Sequence, residues 1–219
     1  MTELDELAVL PATTAPWHLV YQDDLLLVVN KPAMLLTVPG RHPANRDCLI
    51  SRVQCEFPLA QVVHRLDYDT SGLLVLPLTK KALSAISIQF QQRQTKKFYQ
   101  ALVAGKCDEQ GMIDSPIAAD PLRRPLYKIA DDGKPSQTLY RRLHFDGQNS
   151  RVQLEPVTGR SHQLRLHMAS IGHPMLGDVF YAPPAVLAQS PRLCLHAANL
   201  GFFHPQDGRW LEFSAEVPF

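Results

Sequence analysis

The densest run of reactive side chains is Val63-His64-Arg65-Leu66-Asp67-Tyr68-Asp69-Thr70-Ser71-Gly72. It leads straight into the apolar run GLLVLPL at Gly72–Leu78. Polar groups at the end of a core strand are well placed for chemistry, because the strand is rigid and the loop projects its side chains. Asp67 and Asp69 are two residues apart, so on an extended segment both can face one side. Such carboxylates suit nucleophilic or acid–base work, a glycosidase-like hydrolysis included. The bland alternative is a satisfied loop in which either aspartate accepts from Thr70, Ser71 or nearby amides. Residue types alone do not choose between Asp67 and Asp69.

A second segment, Thr158-Gly-Arg-Ser-His-Gln-Leu-Arg-Leu-His167, reads as the start of a helix capped by Ser161 and stopped at Gly172. On that helix His162, Arg165 and Ala169 share a face through three- and four-residue spacing. A guanidinium there can pair with a buried carboxylate, or it can snorkel from a surface helix. His162 and His167 are five apart and do not align as two zinc ligands, so no metal is expected. A third segment, Lys96-Lys97-Phe98-Tyr99-Gln100-Ala101-Leu102-Val103, interleaves bases and aromatics as nucleic-acid contacts do. Strand alternation puts Phe98 and Tyr99 on opposite faces, one in the core and one half-buried. There is no Walker loop, G-x-G-x-x-G, G-x-S-x-G or H-E-x-x-H, which weighs against phosphotransfer, dinucleotide chemistry and the common hydrolases.

The elements that must position these groups are short. LLLVVNKP reads as a buried strand ended by Pro32, and Ala33–His42 as a loop with a Pro39-Gly40 turn. CLISRVQCEF has the spacing of a short helix. Thr79 is placed to cap the helix KKALSAISIQFQQRQ. FYQALVAG, TLYRRLHF, SRVQLEPVTGR, RLCLHAANLGFFHP and RWLEFSAEV read as strands. The order is strand-rich, with a few interspersed helices and no βαβ repeat. It predicts an α+β fold on a mostly antiparallel mixed sheet with flanking helices. Residues 1–16 are expected to be a loosely held tail, and 17–219 a single domain.

Of 219 residues, 45% are hydrophobic and 20% charged, enough for a real core. No apolar run approaches the ~20 residues of a membrane span. The acidic start MTELDELAVL predicts no secretory signal, and four scattered cysteines suit reduced thiols in the cytoplasm. Net charge is only +1, far from that of a general nucleic-acid coat. An RNA site would have to be a local patch. Candidates are Arg93 with Lys96 and Lys97, Arg123 and Arg124 with Lys128, Arg141 with Arg142, and Arg160 with Arg165.

The motifs taken together resemble the RluA family of RNA pseudouridine synthases. HRLDYDTSGLL is similar to that family's catalytic motif HRLD-x-x-TSGL. VVNKP at Val28–Pro32, KKFYQALVAG, TGRSHQLRLHMASIGHPMLGD at Thr158–Asp178 and LHA at Leu195–Ala197 resemble its other motifs, in the right order from about Tyr21 to the C-terminus. The resemblance implies the pseudouridine synthase fold with a central RNA-binding cleft. It places the catalytic aspartate on Asp67 and the base-displacing arginine on Arg65. The tyrosine against the base falls on Tyr99, and the arginine partner of the carboxylate on Arg165. His64, Thr70, Lys31, Arg160 and His162 are expected at the substrate. The short chain resembles the branch without an N-terminal RNA-binding domain. That implies a tRNA anticodon stem-loop, a hairpin of large-subunit (23S) rRNA, or both as partners, with another tRNA site as the alternative. A cytoplasmic monomer without metal or cofactor is expected. Rival readings are an RNA-binding module without activity and a hydrolase that releases free uracil.

Overall fold

The computed structural model describes residues 9–219. The chain forms two compact units. One holds the residues up to Lys96 together with Ala197–Glu216, and the other holds Lys97–His196 with Val217–Phe219. The fold class is α+β, as the element order predicts.

In the first unit, β1 (His18–Gln22), β2 (Leu26–Lys31) and β3 (Ser71–Pro77) form an antiparallel run, with Lys31 opposite Gly72 and Leu26 opposite Pro77. β10 (Leu195–Phe203) neighbours β3 and pairs antiparallel with β11 (Trp210–Ser214). Alternate residues Leu26 and Val28, Leu73 and Val75, and Leu200 and Phe202 pack with Ile86 in one cluster. Their neighbours Leu27, Val29, Leu74 and Leu76 are buried as well. Burial on both faces is why these strands read as unbroken apolar runs. Two helices belong here, α1 (Leu49–Gln54) and α2 (Lys80–Gln91). Thr79 caps α2 as expected, its hydroxyl accepting from the Ala82 amide at 3.1 Å.

In the second unit the strand order is β4 (Lys96–Ala104), β9 (Asn149–Pro156), β8 (Gln137–Phe145), β5 (Gln110–Asp114), all antiparallel. A separate hairpin joins β6 (Ile117–Ala119) to β7 (Tyr127–Ile129). Helix α3 (Gln163–Ser170) lays Leu164 and Met168 on Ala101, Val103, Val152 and Leu154, and a short α4 (Pro184–Leu187) follows.

Several elements differ from the sequence reading. β1 and β5 to β7 lack a strong pattern: β1 is a largely exposed strand, and the other three have three to five residues each. Helix α3 starts at Gln163, and its N-cap is His162 in the left-handed region (φ 55°), not Ser161. Of the expected tail, residues 1–8 lie outside the described residues. Leu10 and Thr13 donate main-chain hydrogen bonds to Asn45 and Met34, and Arg52 donates to the carbonyls of Thr13 and Ala15.

His196, near the start of β10, is almost fully buried. Burial, and then the charge of Arg192, pull its pKa from the ordinary 6.5 down to about 4. The folded protein holds this imidazole neutral while the unfolded chain takes up a proton, so stability is full above pH 6.5 and falls as pH drops towards 4. This one group should remove about 3 kcal/mol over that window. Urea unfolding between pH 4 and 7 should show the slope, and His196→Gln should flatten it; an unchanged slope would contradict the assignment.

Candidate active site

The Asp67 loop is built on the end of the β2–β3 pair. Lys31, the last residue of β2, is fully buried, and its ammonium donates to the carbonyls of Leu35 (2.7 Å), Pro32 (2.9 Å) and Tyr68 (3.4 Å). The Tyr68 carbonyl also accepts from the Leu35 amide at 3.2 Å. Thr37 holds both main-chain groups of Leu66: its hydroxyl donates to the carbonyl at 2.8 Å and accepts from the amide at 3.1 Å. The Asp67 carbonyl closes a turn by accepting from the Thr70 amide at 3.2 Å. The residues before, at and after Asp67 are therefore all tied through the main chain. Among the described residues these ties leave the Asp67 carboxylate, which is half-buried, unused.

The exit from the loop is equally constrained. Gly72 has φ +122°, and a Cβ there would stand 2.5 Å from the Ala197 amide nitrogen and carbonyl oxygen. Only glycine fits that conformation and that approach. His64 accepts from the Val75 amide at 3.1 Å and stacks on Phe90 with ring centroids 4.5 Å apart. Burial, and then the Asp69 charge, push the Tyr68 phenol up, so it stays protonated and donates to the Pro11 carbonyl. Arg65 is exposed beside Asp67.

The second unit carries the other expected residues. Arg165 on α3 is 1% exposed, which rules out the snorkelling surface arginine. Its Nε donates to Asp178 Oδ2 at 2.9 Å and its Nη2 to Asp178 Oδ1 at 2.5 Å. The ring of Phe180 lies 4.8 Å from the guanidinium carbon and that of Tyr181 5.6 Å. His162 bonds the Tyr181 hydroxyl at 2.8 Å and stacks on Phe180. Gln163 accepts from Thr158 and the Arg160 amide and donates to Gln137 and Thr138, which locks the turn into α3. His167 lies buried between Thr138 and the Ser115 carbonyl, and burial lowers its pKa. Tyr99 lies opposite Leu154 in the β4–β9 ladder and packs on the core, whereas Phe98 lines a groove with Gly111, Leu139 and Tyr140. Arg160 is exposed. Among the described residues, no three histidine, cysteine or carboxylate side chains converge as metal ligands.

Of the residues expected at the substrate, Lys31 and Thr70 are buried and His64 accepts from the main chain of β3, so these groups help to hold the loop. Thr37, Gln163 and Asp178 were missed. Asp178 closes a quoted motif, but thirteen residues separate it from Arg165, and no helical or strand period joins them.

The profile of the family described as "RNA pseudouridylate synthase" matches residues 25–170. The "Dual-specificity RNA pseudouridine synthase RluA" of Pasteurella multocida is 48% identical over 212 residues, covering 95% of this chain and 97% of that protein. The protein of the same name from Escherichia coli K12 is 46% identical, over 93% and 95%. Among solved structures, "Human RNA Pseudouridylate Synthase Domain Containing 1" superposes with a TM-score of 0.80 at 30% identity, over 95% of this chain and 86% of that one.

If Lys31 supports the loop from below, Lys31→Met should strip a buried donor from three carbonyls and cost about 3 kcal/mol. A urea midpoint within error of the parent would show that the ammonium is dispensable.

Proposed function

The chain belongs to the RNA pseudouridylate synthase family, and from that premise we propose that Asp67 is its catalytic carboxylate, assisted by Tyr99 and Arg165. The enzyme is an isomerase: the bond from ribose C1′ to uracil N1 breaks, the base turns, and C1′ is rejoined to C5. The C5 proton is lost and N1 gains one, so atoms balance without redox change, metal or co-substrate. The rearrangement needs an ionised carboxylate at the sugar, whether as nucleophile or as base, and a base drawn out of its stack.

The observation that carries the assignment is the Asp67 loop itself. Its main chain is tied at three successive residues, and its carboxylate is left for other work. A catalytic group held this way needs little reorganisation when substrate arrives. Arg165 supplies a buried guanidinium whose orientation is fixed. Tyr99 offers an aromatic face and a hydroxyl to the base, and Arg65 reaches phosphate and the space the base leaves. Extraction costs a few kcal/mol, least in a loop, so hairpin loops are the expected targets. The relatives' names specify dual specificity, and the two RNA substrates we assign here are a tRNA anticodon stem-loop and a large-subunit rRNA hairpin. Residues 17–219 act as one catalytic domain, since the family profile runs through both units. We place the activity in the cytoplasm, on a monomer.

Both RNAs, transcribed with tritium at C5 of uridine, should release label and yield pseudouridine on digestion. Asp67→Asn should lower turnover at least about 10³-fold, and Arg165→Met should abolish it in a protein that still unfolds cooperatively. Retained turnover in either variant, or free uracil as the product, would contradict the assignment.

A further inference from the structure

We propose that Asp178 is a positioning residue for the isomerisation, acting through Arg165; this rests on the role given to Arg165 above. Asp178 is fully buried and Arg165 nearly so. The carboxylate grips the guanidinium side-on, through Nε and Nη2. That two-point contact fixes the plane of the guanidinium as well as its place, which a single hydrogen bond could not do. Phe180 and Tyr181 hold the guanidinium against their rings and so limit its tilt.

The socket is itself immobilised. Asp178 Oδ1 also accepts from the amides of Phe180 (2.9 Å) and Tyr181 (3.2 Å), so one carboxylate orders the strap that carries both rings. The Tyr181 hydroxyl meets His162 and accepts from the Tyr127 amide at 3.0 Å, tying the strap to the start of α3 and to the β6–β7 hairpin. Gly177 before it has φ +70°, and a Cβ there would lie 1.9 Å from the Arg192 carbonyl oxygen. The backbone therefore enters Asp178 by one path.

Charge makes the arrangement more than structural support. Asp178 neutralises Arg165 in a place where an unpaired cation would be costly. What Arg165 then offers to the reaction is direction rather than surplus positive charge. Nη1 is on the opposite side of the guanidinium from the Asp178 contacts, and its direction is set by them. Disturbing the socket should slow the chemical step while leaving the exposed RNA-contacting groups as they are.

The test compares Asp178→Asn and Phe180→Leu with the parent in single-turnover assays and RNA-binding titrations, each normalised to folded protein. Asp178→Asn should lower the rate of the chemical step about 10²-fold, with the RNA Kd within about threefold. Phe180→Leu leaves both charges paired and removes only a ring, so it decides the matter if Asp178→Asn does not fold; its rate should drop about fivefold. Rates within twofold of the parent in the folded variants would overturn the proposal. An active Arg165→Met would instead overturn the role of Arg165 itself.

Discussion

A lysine ammonium buried to zero exposure has to be met by acceptors, and at Lys31 these are the carbonyls of the very segments that shape the Asp67 loop. A cation in a core is tolerated only where acceptors surround it, and their main chain is held in return. From this follow the close approach of 32–35 to Tyr68, the Thr37 clasp on Leu66 and the tight turn from Asp67 to Thr70. The register of β2 against β3 puts Lys31 opposite Gly72, so the buried charge lies where the loop re-enters the sheet. The precision of the loop is thus inherited from the strands beneath it.

The second unit solves the same problem with a carboxylate in place of carbonyls. Arg165 is buried because Asp178 meets it and two rings flank it. Both units keep a cation inside by satisfying it locally, and the net charge of the chain stays near zero. For an enzyme of RNA this has a functional consequence. Blanket attraction to phosphate is weak at such a charge, so recognition has to come from shape and local contacts.

Much of this was legible in the sequence, and the exceptions have physical reasons. Strands β2 and β3 were plain because burial on both faces leaves unbroken apolar runs. The cap at Thr79 was plain because a hydroxyl before a helical pattern has one obvious use. Strands β5 to β7 were not, since three to five residues are too few to show a clear alternation. The start of α3 was misplaced because the chain enters the helix through His162 in a left-handed conformation, which the serine-cap pattern does not signal. In the site, residue chemistry reached two carboxylates and stopped; the order of motifs singled out Asp67. Lys31 stood out in its motif, but its burial did not, because a motif does not reveal that a lysine faces inward. Asp178 escaped because a contact between a helix and the loop after it leaves no period to read.

The central claim is that Asp67 works by being held in one place, and changing its reach by a single methylene group addresses that directly. Asp67→Glu keeps the charge and the loop's main-chain bonds but moves the carboxylate by about 1.5 Å. The decisive measurement is its single-turnover rate beside its RNA affinity. The account predicts a rate reduced at least about 10²-fold with affinity and unfolding midpoint close to the parent's. A glutamate that turns over at near the parental rate would show that the carboxylate needs no fixed position, and the held loop would lose its catalytic meaning.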